Sequence, residues 1–288
     1  MATLTIYYRI MLAAVLLLAA GCATHERRLM AIRDGFYAGD LPIAETALAN
    51  GLQHDRRDRD VLQLEQSIVE LAGGRPQEAE RTLREVRDRF DELERARTGR
   101  SALSLITDDT YKTYAGEDYE KVLIRAFLSI ANLLGDGQDA GAYALQVTAK
   151  QQQIIAAAAA DSSDGPNPKL AYKQVAAGPY LRGLIREATH SNYDDAARAS
   201  ALVVNWAPQF RYGRADLERA RHGHHSAPGN GVLYVFALVG RGPYKEEAVE
   251  LPTTVSLLIA DRILSATNKY SLPPTIAPVK VPRVVVPP

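Results

Sequence analysis

The chain has 288 residues with 34 basic and 34 acidic side chains, which is enough for one large domain or two small ones with a hydrophobic core. A net charge of zero gives no electrostatic reason to expect nucleic acid as a partner. Aromatic residues make up only 7% of the chain and alanine is frequent, which favours packed helices over a β-sandwich.

The first residues are typical of an exported protein. The run from Ile10 to Ala20 is apolar throughout, too short to span a membrane but long enough for a signal-peptide core. The only cysteine, Cys22, follows directly after small residues. This arrangement resembles the lipobox of bacterial lipoproteins, which implies a signal peptide over residues 1–21 and acylation of Cys22 with diacylglycerol and an amide-linked chain such as palmitate. A plain secretory signal and a short buried helix are the alternatives.

The resemblance also carries an expectation about location. Several acyl chains anchor a protein firmly because each buried methylene contributes about 0.8 kcal/mol. In diderm lipoproteins an aspartate after the cysteine is typical of retention in the inner membrane. Ala23 stands there instead, which favours the outer membrane, with the protein facing the periplasm. Acylation of Cys22 leaves no cysteine for a disulfide, so stability must come from packing.

Four short breaks interrupt the apolar, helix-period stretches that follow. They begin at Gly39, Gly74, Gly135 and Ser191, and each places a small residue five positions before an alanine: Ala44, Ala79, Ala140 and Ala196. A glycine lets a helix end in the left-handed conformation, and an alanine lets two helices approach closely. The pattern predicts a helix on either side of each break.

The spacing of the first two breaks, 35 residues from Gly39 to Gly74, resembles the tetratricopeptide repeat (TPR). The other spacings are longer and Trp206 is the only tryptophan, which indicates insertions or a degenerate repeat. We therefore predict a mainly α fold, a TPR-like α-α superhelix over residues 22–210. An irregular helical bundle is the alternative.

The insertion Ser104–Asp118 lengthens one repeat and carries tyrosines and acidic residues. It predicts a partner-binding loop made of Tyr111, Tyr114, Glu117, Asp118 and Tyr119. Acidic residues also favour the start of a helix because they offset the positive end of its dipole, so Glu117 and Asp118 have a purely structural alternative. A third interpretation is an enzyme that uses the acidic loop from Asp108 to Glu120.

The composition changes after residue 210. We predict a linker over 211–231 and a small β-containing segment over 232–288, in which Tyr244–Leu251 returns as a partner strand for the β-rich Val232–Val239. The linker contains His222, His224 and His225. Adjacent histidines bind zinc only when the fold fixes further ligands, so we expect no metal site, and no motif predicts a cofactor.

Four blocks along the chain resemble a group of bacterial lipoproteins with TPR-like repeats: LAAGC, ALSLITDDTYKTYAGEDYEKVLI, LLGDGQDA and GVLYVFALVGRGPYKEE. The resemblance implies an exported helical repeat followed by a small β-containing segment, with no catalytic residues. We therefore expect an outer-membrane lipoprotein that acts as a protein-binding scaffold or adaptor in the cell envelope, in a setting such as peptidoglycan assembly. Its partners would be the membrane, through acylated Cys22, and a periplasmic or envelope protein. A purely structural envelope protein is a further alternative.

Overall fold

A computed structural model describes residues 24–54, 58–98, 114–160, 173–190, 192–223, 230, 232–239, 244–250 and 279–285. The chain divides into two units with the boundary between Asn230 and Gly231. Each unit is described by itself below.

The described residues of the first unit form nine helices: α1 (Thr24–Tyr37), α2 (Leu41–His54), α3 (Arg59–Ala72), α4 (Pro76–Thr98), α5 (Asp118–Leu134), α6 (Ala140–Ala160), α7 (Ala177–Ala188), α8 (Tyr193–Trp206) and α9 (Gly213–His222). Each helix packs against its neighbours in sequence, and α1 also contacts α3 while α5 contacts α7. Contacts confined to near neighbours are characteristic of helical repeats. The prediction of a mainly α, repeat-type fold is confirmed for these residues.

The four predicted breaks coincide with the turns between α1 and α2, α3 and α4, α5 and α6, and α7 and α8. The alanine that follows each break has no exposed surface, as close packing of helix pairs requires: Ala44, Ala79, Ala140 and Ala196. At the first two turns Gly39 and Gly74 have φ values of 77° and 72°, a left-handed conformation that favours glycine.

The third and fourth turns place the left-handed residue elsewhere than the sequence predicted. It is Gly137, with φ 72°, rather than Gly135, and His190, with φ 55°, near Ser191. The Gly135 amide still continues the α5 hydrogen-bond pattern by donating to the Ala131 carbonyl at 3.0 Å. At the third turn the chain therefore reverses two residues later than the position of Gly135 indicates.

The core consists of apolar clusters shared between consecutive helices. One cluster joins α1, α2 and α3, and a second joins α5 and α6. A third joins α4, α5 and α6 through six buried residues: Leu83, Val86, Phe90, Ile124, Leu128 and Tyr143. This last cluster holds the C-terminal half of α4 beside the start of α5, where the candidate site lies.

The predicted linker over 211–231 is wrong for its first half, because Gly213–His222 forms α9 and packs against α8. Ala220 is buried, and Arg219 donates to the Glu187 carboxylate of α7 at 2.5 Å and 3.0 Å. The helix has few apolar residues, so ion pairs take over part of the role that an apolar stripe usually has. His222 lies on α9 with an exposed side chain, whereas His224 and His225 lie outside the described residues.

In the second unit, β1 (Tyr244–Glu250) pairs antiparallel with β2 (Val279–Val285), with Tyr244 opposite Val285 and Glu250 opposite Val279. Val232–Val239 has no regular secondary structure, so its predicted pairing with the following strand is wrong. The chain's end supplies the partner because its valines suit a pleated strand. A two-stranded sheet consists of edges alone, where Pro282 is tolerated.

Candidate functional site

An open groove of about 790 Å³ lies where the C-terminal half of α4, the start of α5 and α6 meet. Its volume falls within the range of small-molecule and cofactor sites. The lining is mixed, with charged and amide side chains from all three helices and small or aliphatic side chains on the α6 wall: Asp91, Glu94, Arg95, Asp118, Arg125, Gln146, Ala149, Lys150, Gln153, Ile154, Ala157 and Ala158.

The same helices that form the core also direct charges into the groove. On α4, Asp91 directly follows Phe90 and Glu94 lies one turn after it, and the Phe90 side chain is fully buried against α5 and α6. On α5, Lys121 and Arg125 are one turn apart and sit among buried apolar residues. On α6, Lys150 is placed in the same way. Residues on three helices thereby converge in one charge cluster.

We call the set Asp91, Glu94, Asp118, Lys121, Arg125 and Lys150 the groove charge cluster. Arg125 Nη2 donates to both carboxylate oxygens of Asp91, at 2.8 Å and 2.6 Å, and its Nη1 donates to the Lys121 carbonyl at 2.6 Å. Lys150 Nζ donates to Glu94 and lies 3.4 Å from Asp91. Lys121 Nζ lies 3.1 Å from Glu94 and 3.6 Å from Asp118. The cluster thus links all three helices.

The charges in the cluster are arranged in two layers. The side chains of the three cations are only 5% to 7% exposed, whereas those of Asp91, Glu94 and Asp118 are 32%, 36% and 25% exposed. The cations are therefore the more deeply buried layer and the carboxylates the more exposed one, although Arg125 and Lys150 also line the groove. Buried charges need partners of this kind, because an unpaired ion inside a protein is costly.

The cluster keeps Glu94 ionised. Burial by itself would raise the pKa of this carboxyl, but hydrogen bonds from Lys150 and Lys121, and the charges of both, outweigh burial and lower the pKa. Glu94 therefore carries a negative charge at neutral pH and presents acceptor oxygens to the groove.

A second polar network stiffens the other end of the same three helices. Glu80 of α4 accepts hydrogen bonds from Tyr143 Oη at 2.9 Å and from Asn132 Nδ2 at 3.1 Å. Asn132 Oδ1 accepts from the Asp139 amide at 2.9 Å, which fixes the turn before α6. Burial opposes ionisation of Glu80, yet these donors and Arg84 lower its pKa. Glu80 is buried because Tyr143 of α6 packs over this face of α4.

Two of the five predicted contact residues shape the start of α5. The Tyr114 ring packs edge-on against Phe90 with centroids 5.8 Å apart, and its hydroxyl is hydrogen-bonded to Glu120. Burial and the Glu120 charge raise the pKa of Tyr114. Glu117 is the N-cap of α5, and its amide donates to Glu120 Oε2 at 2.7 Å in a capping box. Tyr114 and Glu117 therefore have internal partners at the start of α5, and their role in binding a partner stays a prediction.

The other predicted residues have different places. Asp118 lines the groove, and Tyr119 is 37% exposed on the first turn of α5. Tyr111, together with Asp108 and Asp109, lies outside the described residues, as does Cys22. Within the described ranges, no helix is long and apolar enough to span a membrane, and no three His, Cys, Asp or Glu residues are grouped so that they could hold a metal ion.

Sequence reasoning missed most of the groove residues, although a signal was present. Lys121, Arg125 and Lys150 occupy positions on α5 and α6 that face the core, among residues such as Val122 and Ile154. A cation at such a position predicts a buried carboxylate partner. The identity of that partner, which lies between 27 and 59 residues earlier in the chain, depends on how the repeats stack.

The comparisons with known proteins support the helical repeat. Residues 21–127 match the model of the tetratrico peptide repeat family, which covers α1 to α4 and the first half of α5. Comparison with curated proteins and with solved structures found no match. Over those residues, which are less than half of the chain, the protein is therefore similar to tetratrico peptide repeats.

Proposed function

We propose that the protein is a scaffold or adaptor that binds a protein partner, and that a segment of this partner lies in the groove between α4, α5 and α6. The observation that carries the proposal is the open groove, lined by charged and aliphatic side chains, on a stack of helix pairs. Helical repeats of this kind present extended surfaces to partners. The similarity of residues 21–127 to tetratrico peptide repeats supports a role in protein interaction.

A role in binding also agrees with the chemistry of the groove carboxylates. Asp91 is held by Arg125 and Lys150, and Glu94 by Lys121 and Lys150. Hydrogen bonds from both lysines, together with their charges, lower the pKa of Glu94, which makes it a poor proton donor. We propose a binding role rather than an enzymatic one for this site.

The proposal extends to location. The sequence LAAGC at residues 18–22 supports acylation of Cys22 and anchoring in the outer membrane, with the helical unit facing the periplasm. A partner in this compartment would belong to the cell envelope, and envelope or peptidoglycan assembly is the setting we propose. The C-terminal unit, which contains β1 and β2, would serve as a second contact or as a cap.

A bulky side chain on the groove wall tests the binding site. Ala149 is exposed and lines the groove, whereas Ala156 is exposed on the same helix and does not line it. After crosslinking in cells and mass spectrometry, Ala149→Trp should lose a partner that Ala156→Trp retains. Equal capture by both variants would overturn the assignment of the groove.

Membrane fractionation tests the anchor separately. Cys22→Ser should move the protein from the membrane fraction to the soluble fraction, because the acylated side chain is lost. If membrane association is unchanged, the proposed lipid anchor is wrong.

A further inference from the structure

We propose that the groove recognises a peptide segment that presents lysine or arginine side chains. This inference rests on the proposed function and adds the chemistry of the partner. It follows from the two layers of the groove charge cluster.

The cluster carboxylates are more exposed to a ligand in the groove than the cluster cations are. The side chains of Asp91, Glu94 and Asp118 are between 25% and 36% exposed, while those of the three cations are at most 7% exposed. The reachable polar atoms of the cluster are therefore mainly hydrogen-bond acceptors. Lysine, arginine and backbone amides are the donors that complement such a surface.

The buried cations prepare the carboxylates for binding. Arg125 Nη2 holds both oxygens of Asp91 at 2.8 Å and 2.6 Å, and Glu94 is held from two sides by Lys121 and Lys150. A carboxylate accepts about four hydrogen bonds, so Asp91, which accepts from Arg125 and Lys150, can accept a further donor from a ligand. Because these side chains are already ordered, binding costs less conformational entropy.

The cluster attracts a cation at contact although its charges cancel at a distance. Three carboxylates stand against three cations, so its far field is weak. A ligand cation inside the groove can approach the exposed carboxylates more closely than the cluster cations, whose side chains are at most 7% exposed, and Coulomb interactions weaken with distance. Affinity should therefore depend on the sign of the ligand's charge, with only a weak dependence on salt.

Arg95 provides a sensitive control because it is an exposed cation on the groove lining. Its Nε donates to the Asp91 carbonyl of its own helix at 3.2 Å, so replacing Arg95 leaves the cluster carboxylates with their partners. Arg95 repels a basic ligand and attracts an acidic one. The effect of Arg95→Ala therefore has opposite signs for the two ligand classes.

The test measures fluorescence anisotropy of labelled peptides with repeating Gly-Ser-Lys, Gly-Ser-Gln or Gly-Ser-Glu sequences, added to the full chain in a non-denaturing detergent. The lysine peptide should bind at least about tenfold more tightly than the glutamate peptide, because charge-assisted hydrogen bonds form only with the former. Ala149→Trp should abolish this binding, and Ala156→Trp should leave it unchanged.

Two further variants fix the sign of the effect. Arg95→Ala should raise affinity for the lysine peptide about twofold, and Asp118→Asn should lower it by about the same factor, as expected for partly exposed charges. No binding of the lysine peptide, equal binding of the three peptides, or weaker lysine-peptide binding in Arg95→Ala would overturn the inference. None of these peptide results changes the partner capture expected in the crosslinking experiment with Ala149→Trp. A failure of this inference can therefore be distinguished from a failure of the proposed function.

Discussion

Removing a carboxylate from the groove charge cluster should destabilise the protein more than removing a cation. In Glu94→Gln, Lys121 and Lys150 lose the negative charge that they share, and an amide nitrogen replaces one of the two oxygens that they bind, one of which lies 3.1 Å from Lys121. Both lysine side chains are at most 7% exposed, so water cannot replace the carboxylate fully. In Lys150→Met, by contrast, Arg125 still pairs with Asp91, Lys121 still pairs with Glu94, and methionine keeps much of the apolar stem.

The burial of the partners sets the magnitude. Breaking a fully buried pair by removing one member costs about 3–5 kcal/mol, and exposed pairs contribute about 0–1 kcal/mol. Because Glu94 is 36% exposed while its lysines are buried, Glu94→Gln should cost about 2 kcal/mol. Lys150→Met should cost less than about 1 kcal/mol.

The assay is thermal and urea unfolding of the full chain in detergent, followed by circular dichroism of the helices. For a unit of this size, Glu94→Gln should lower Tm by about 4–8 °C. Glu92→Gln is the matched control, since Glu92 lies on the same helix with a 64% exposed side chain and an exposed partner, Arg89. A larger loss of stability in Lys150→Met than in Glu94→Gln would refute the two-layer arrangement.

Three further predictions follow from individual contacts. The lowered pKa of Glu94 contributes stability that is fully present above the unfolded carboxyl pKa of about 4.3. This contribution is lost as pH falls through the lower folded pKa. When the pH is brought below about 4, the urea midpoint should therefore decrease less in Glu94→Gln than in wild type. Tyr114→Ala should cost about 2–3 kcal/mol by loss of the Phe90 contact and the hydrogen bond to Glu120, whereas Tyr119→Ala should change Tm little; equal losses would contradict this. Gly116→Ala should cost about 2–4 kcal/mol, because φ is +74° and the added Cβ would lie 2.5 Å from the Phe90 ring; an unchanged Tm would disprove that contact.

The helical repeat could be predicted because its signals are local. Each break combines a helix end, a helix start and an alanine within six residues, and backbone geometry limits what such a stretch can do. The complete burial of Ala44, Ala79, Ala140 and Ala196 agrees with that reasoning. Helix α9 was not predicted because its sequence, GRADLERARH, has little apolar periodicity. The ion pair that holds it joins Arg219 to Glu187 of α7, a contact between distant positions that the local sequence does not indicate.

The groove could not be predicted because it depends on long-range contacts. Asp91 and Glu94 lie in a stretch of α4 that is rich in charged residues, and only the stacking of α5 and α6 brings buried cations to them. The internal contacts of Tyr114 could not be predicted either. In the sequence it belongs to a polar loop, yet the turn at Gly116 directs its ring onto Phe90. Loop composition alone does not reveal which side chains turn inward.

The strand prediction failed on the choice of partner. The sequence favours strands at Val232–Val239 and Tyr244–Leu251, and a short connection favours pairing between neighbours in sequence. The structure pairs β1 with Val279–Val285 instead. Strand tendency is thus readable in this unit, whereas register and partner depend on the rest of the unit.

Site-specific photo-crosslinking in cells tests the central claim most directly, because it asks whether a partner occupies the groove. A photoreactive residue would replace either Gln153, which is exposed and lines the groove, or Gln152, which is exposed on the same helix but does not line it. We predict a discrete crosslinked protein at position 153 that is absent at position 152 and is lost in Ala149→Trp. A blank at position 153, or the same adduct at both positions, would contradict binding in the groove.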